Sequence, residues 1–143
     1  MSNIPSLPDA VVETYVAAWN ETDAGRRGAA VAKSFAEKAT YRDPVMAGDG
    51  PAGIDAMLAG VQAKFPGFVL KRTSAIDHHN GALRFTWSLG PAAGPSVVEG
   101  VDFCTLAPDG RFASVVGFID KMPGGLPDLQ KARSRWRPRF PSL

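Results

Sequence analysis

The chain has 143 residues, 45% hydrophobic and 21% charged, with one cysteine and a net charge of +2. That length suits one domain with a sizeable core, and the composition is that of a globular chain rather than a disordered or fibrous one. The lone Cys104 excludes an internal disulfide and a multi-thiolate metal centre, and without an apolar run of about 18 residues the sequence shows no membrane-spanning helix.

The charge is unevenly spread. Residues 1–120 hold 10 Lys/Arg against 13 Asp/Glu, and residues 121–143 hold 6 against 1, so the body is mildly acidic and is not expected to bind nucleic acid. Met1 to Pro8 has neither the basic start nor the apolar core of a signal peptide. A cytoplasmic location is expected, which sets aside Asn20-Glu21-Thr22 as a glycosylation site.

In chain order, Ser6-x-x-Asp9 forms a capping-box pattern, and Val12, Tyr15, Val16 and Trp19 follow at helical spacing with Tyr15 on the apolar stripe. Asn20 to Asp23 ends this helix and caps a second through Val31 and Phe35. Ala39 to Val45 reads as a short strand running into an Asp43-Pro44 turn. Gly48-Asp49-Gly50-Pro51-Ala52-Gly53 matches a dinucleotide-loop pattern, but Asp49 would repel a pyrophosphate and Pro51 lacks an amide donor, so a loop leading into a helix is expected. Ile54, Met57, Leu58, Val61 and Phe65 share one face of that third helix before Pro66-Gly67 stops it.

Strands follow. Phe68 to Asp77 and Ala82 to Gly90 are joined by His79-Asn80-Gly81, a hairpin signal. The strands Ser96 to Ala107 and Arg111 to Asp120 are joined by Pro108-Asp109-Gly110. The reading is therefore α+β: three helices, then an antiparallel meander, in a single domain over residues 1–120 with a Pro/Arg-rich tail over 121–143.

Three polar residues stand out against apolar surroundings. Asp102 shares a strand face with Val98, Gly100, Cys104 and Leu106, where a carboxyl must find a partner or keep its proton. Tyr15 offers a donor from a buried helix stripe, and Asp43 an acceptor at a turn. Two donors facing one base across a dry pocket are what proton abstraction beside a carbonyl requires. Each also has a plain structural role: Tyr15 on a backbone carbonyl, Asp43 capping its own turn, Asp102 paired with Arg84 or Arg111.

The stretches Tyr15-Val16-Ala17-Ala18-Trp19-Asn20, Ala39-Thr40-Tyr41-Arg42-Asp43-Pro44-Val45 and Val97-Val98-Glu99-Gly100-Val101-Asp102 resemble bacterial ketosteroid isomerases. More widely, residues 8–120 resemble the nuclear-transport-factor-2-like superfamily with its SnoaL-like polyketide cyclases. The resemblance implies a cone-shaped curved sheet and three helices enclosing a pocket for a small hydrophobic or carbonyl-bearing molecule. It implies Asp43 as catalytic base, Tyr15 as oxyanion donor and Asp102 as the protonated acid beside it. Trp19, Leu58, Phe85, Trp87, Leu89 and Val115 fall on its pocket positions. It further implies a homodimer, and neither metal nor other cofactor.

The chain also departs from the isomerases. Leu58 replaces a supporting tyrosine, the connection from Tyr15 to Asp43 is longer, and Trp87 is bulkier than its counterpart, taking room from a steroid. The cyclase histidine is absent between Leu83 and Leu89. His78 and His79, at the hairpin, are expected outside the chemistry. Alternatives on the same scaffold are a non-catalytic ligand- or partner-binding module, with Asp43 turned to solvent and Asp102 ionised beside an arginine, and a cyclase, dehydratase or epoxide hydrolase.

Overall fold

A computed structural model describes residues 7–122. Ser6 of the expected capping box and the Arg-rich segment from 123 onward lie outside the described residues. Helices α1 (Leu7–Asn20) and α2 (Ala24–Ser34) lead into strands β1 (Phe35–Arg42) and β2 (Ala47–Asp49). Helix α3 (Gly50–Lys64) follows, and then strands β3 (Phe68–Arg72), β4 (Asp77–His79), β5 (Ala82–Pro91), β6 (Val98–Leu106) and β7 (Phe112–Lys121). No described helix is long and apolar enough to cross a membrane.

The sheet runs β2-β1-β7-β6-β5-β3, with β4 also paired to β5. Its meander is antiparallel, as the hairpin signals predict, but β1 joins β7 in parallel, so the sheet is mixed and not purely antiparallel. The physical reason is topological: β1 follows a helix and reaches β7 from across the fold, so no hairpin turn dictates its direction. β1 also starts at Phe35, four residues before the expected strand, and its pairing with β7 shifts register between Phe35 and Thr40.

Two other differences are local. The expected strand from Phe68 to Asp77 divides into β3 and β4, because Ser74 Oγ takes the Thr86 amide at 2.8 Å in place of a ladder carbonyl. The glycine pattern holds a short strand as well as a helix start. A Cβ on Gly48 would lie 3.1 Å from the Ile54 backbone, and Gly50 turns the chain at φ +70°. Asn80 and Gly81, at φ 48° and 78°, make the expected tight turn between β4 and β5.

The core is the inner face of the sheet against α1 and the start of α3. Val12, Phe35, Ile54, Phe112 and Val115 are fully buried there. The helices are joined by polar contacts too. Arg27 of α2, itself buried, donates to Asp55 Oδ1 at 2.8 Å and to Gln62 Oε1 at 3.0 Å on α3, and Gln62 Nε2 donates to the Trp19 and Glu21 carbonyls that end α1.

Candidate active site

The concave face of the sheet, α1 and α3 surround a cavity of about 550 Å³, within the range of small-molecule sites. Tyr15, Asp43 and Asp102 all lie on its wall. They come from α1, the turn after β1 and the middle of β6, which is why no sequence spacing links them.

Tyr15 is positioned by rings. Its own ring meets Phe112 at 5.3 Å, Phe35 at 5.7 Å, Phe85 at 6.1 Å and Trp19 at 6.3 Å between centroids, each edge to face. The packed phenol donates to Asp102 Oδ2 at 2.7 Å. Burial, and then the neighbouring Asp102 charge, push the Tyr15 hydroxyl well above its usual range, so it remains a protonated donor at neutral pH.

Asp102 is 2% exposed. Its second oxygen, Oδ1, accepts the indole N–H of Trp87 at 3.0 Å. Burial dominates its titration and raises it to about 7, against the opposing pull of the Tyr15 and Trp87 hydrogen bonds. The arginines that offered a plain structural role are engaged elsewhere, Arg84 with Asp77 at 3.1 Å and Arg111 with Asp109 at 2.8 Å.

Asp43 both caps its turn and faces the cavity. Oδ1 accepts the amides of Val45 and Met46, each at 2.7 Å, and Oδ2 accepts the Tyr41 hydroxyl at 2.8 Å. Burial raises this carboxyl above its usual value, while the three donors pull the other way. The two acids flank one bare backbone position. Gly117, directly across the ladder from Asp102, would carry a Cβ 2.9 Å from Asp102 Oδ1 and 3.2 Å from Asp43 Cβ.

Of the other expected pocket residues, Trp19, Trp87 and Leu89 line the cavity. Leu58, Phe85 and Val115 do not. They are 1%, 1% and 0% exposed and sit behind the wall: Phe85 supports the Tyr15 ring, and Met57 and Val61 of α3 face the cavity where Leu58 was expected. Trp87 leaves the space open because it is drawn back over Gly100, its ladder partner. His78 and His79 are exposed on β4, away from the cavity.

The sequence did not single out Met46, Met57, Val61 and Phe65 as the apolar wall, nor three residues beside the two acids. Tyr41 lies two positions before Asp43, close enough at the strand end for its hydroxyl to reach that carboxylate, and that spacing was a usable signal. Gly100 and Gly117 interrupt strand interiors, which marks a close approach of other groups.

The curled sheet with three helices is a nuclear-transport-factor-2-like fold. Residues 12–115 match the SnoaL-like domain, and the chain belongs to that family. The structure of a candidate isomerase of the SnoaL-like family from Agrobacterium tumefaciens C58 is similar at TM-score 0.77 and 38% identity, over 82% of this chain and 100% of that one. A candidate polyketide cyclase from Sinorhizobium meliloti matches at TM-score 0.61 and 16% identity, over 80% and 95% of the two chains. A candidate ketosteroid isomerase from Kribbella flavida matches at TM-score 0.60 and 19% identity, over 95% and 91%. Among curated proteins none matches.

Proposed function

We propose that the protein is an acid–base isomerase that shifts a double bond beside a carbonyl in a small, mainly apolar molecule. The observation that carries this is Asp102, an acid on an apolar cavity wall whose partners are the neutral donors Tyr15 and Trp87, set across Gly117 from a second acid, Asp43. Two acids this close resist ionising together. Asp43, with three donors, is the better holder of the charge and so the base, while Asp102 keeps a proton near neutrality.

In the reaction, Asp43 takes a proton from the carbon next to the carbonyl and the electron pair moves toward oxygen. Tyr15, backed by Asp102, meets the oxygen as charge develops, and Asp43 returns the proton at the far end of the conjugated system. No other reactant is consumed. The similarity to a candidate isomerase at 38% identity supports the class, and the apolar wall of Met46, Met57, Val61 and Phe65 supports a hydrophobic substrate.

The test is the ultraviolet absorbance change as an unsaturated 3-ketosteroid becomes conjugated. Native protein is expected to turn it over, and Asp43→Asn to lower kcat by about 10²- to 10⁴-fold. Activity that survives Asp43→Asn unchanged removes the base assignment. A cyclase reading is favoured instead if the cavity binds polyketide-like poly-carbonyl compounds and leaves the steroid unreacted.

A further inference from the structure

The contact from Trp87 does more than satisfy a buried acid. An indole N–H can only donate, so Asp102 Oδ1, 3.0 Å from Trp87 Nε1, serves as acceptor. Asp102 Oδ2 lies 2.7 Å from Tyr15 Oη, and a phenol both donates and accepts. The indole is seated for this task. A Cβ on Gly100 would stand 2.4 Å and 2.9 Å from two carbons of the Trp87 ring and 2.2 Å from the Phe118 carbonyl oxygen, so only the bare backbone lets the ring lie flat and reach Asp102, two residues along the same face of β6.

We propose that Trp87 is a positioning residue that assigns the proton of Asp102 to Oδ2, turning the Tyr15 hydroxyl hydrogen away from Asp102 and into the cavity. The donors then act in series. Asp102 Oδ2–H donates to Tyr15 Oη, and Tyr15 O–H donates to the ligand oxygen, so the ligand meets one strengthened donor in place of two side by side. When Asp102 takes a proton from solvent, one O–H bond forms at Oδ2 and none breaks in the protein; the Tyr15 hydroxyl hydrogen, which points at Asp102 while that carboxylate is ionised, rotates toward the cavity. The inference rests on the function proposed above only in taking the ligand atom to be a carbonyl or enolate oxygen. The titratable groups facing Asp102 are Tyr15 from α1, Tyr41 and Asp43 from β1 and its turn, and Cys104 on its own strand.

The experiment is nuclear magnetic resonance of the full chain with ¹⁵N-labelled tryptophan and ¹³C-labelled aspartate carboxyls. The indole resonance missing from Trp87→Phe is expected to move in the native protein with the same midpoint as the Asp102 carboxyl, and to stay still in Asp102→Asn. Trp87→Phe, which keeps an aromatic ring and removes the donor, is expected to raise the Asp102 midpoint by about one pH unit or more. An unmoved midpoint in a variant whose other two indole resonances are native-like overturns the assignment.

2-Naphthol, standing in for the enolate oxygen, tests the series arrangement. Its affinity is expected to fall about tenfold or more between pH 5.5 and 8.5 in the native protein and to hold level in Asp102→Asn, where the amide donates to Tyr15 at every pH. No binding at any pH, or the same fall in the variant, overturns the relay. Failure of steroid turnover with the Trp87 results intact removes the isomerase proposal and leaves this one standing.

Discussion

Asp102 carries a pH dependence whose sign follows from its burial. The folded chain holds that proton up to about 7, whereas an ordinary aspartate releases it near 3.8. Stability from this group is therefore full below the unfolded value, falls as pH rises toward 7, and is gone above it. Thermal melts of native protein and Asp102→Asn at pH 4 and pH 8 should show the native curve losing on the order of 3 kcal/mol that the variant keeps. Equal losses in both place the titration elsewhere. Gly117 gives a second test at this scale. A methyl at Gly117→Ala enters between Asp102 Oδ1 and Asp43 Cβ and is expected to lower kcat at least tenfold with a stability change under about 2 kcal/mol, checked by steady-state kinetics beside urea unfolding.

Among the elements, legibility tracked how local the governing contact was. The strands β5, β6 and β7 and the turn at Asn80-Gly81 were readable because alternation and turn chemistry act over a few residues. Tyr15 on its helix stripe was readable for the same reason. The parallel seat of β1 on β7, the break at Ser74 and the hydrogen bond from Trp87 to Asp102 depend on partners 12 to 77 positions away, and no window along the chain contains them. Leu58, Phe85 and Val115 show the limit well: the resemblance put all three on pocket positions, but which buried residues front the cavity is fixed by the curl of the sheet. At this scale Gly100→Ala is expected to cost about 1–3 kcal/mol in urea denaturation and to displace the Trp87 indole resonance, because its methyl has no free space.

Across the whole molecule, the convex side of the sheet carries an apolar group that the cavity side does not explain. Phe103, Val116 and Phe118 are 42%, 39% and 51% exposed, and the two phenylalanines meet at 5.8 Å. We propose that a second copy of the chain covers them, since an exposed apolar cluster on a sheet face favours self-association. Sedimentation should give a dimer for the native chain and a monomer for Phe118→Glu with unchanged circular dichroism. A native monomer at tens of micromolar sinks that assignment.

The Arg27 contacts bear on how firmly helix α3 is held over the cavity. Helix α3 fronts the cavity with Met57 and Val61, and Phe65 follows at its C-cap, yet among the helix residues only Ile54 and Leu58 are buried. Much of its grip on the other two helices passes through one guanidinium and one amide. Arg27→Ala is expected to destabilise the fold by roughly 3 kcal/mol and to speed amide exchange in α3 well before β6 and β7 respond. A wall held by polar contacts is expected to loosen before the sheet behind it does, so the firmness of the cavity wall and the placing of Asp43 and Asp102 answer to separate residues.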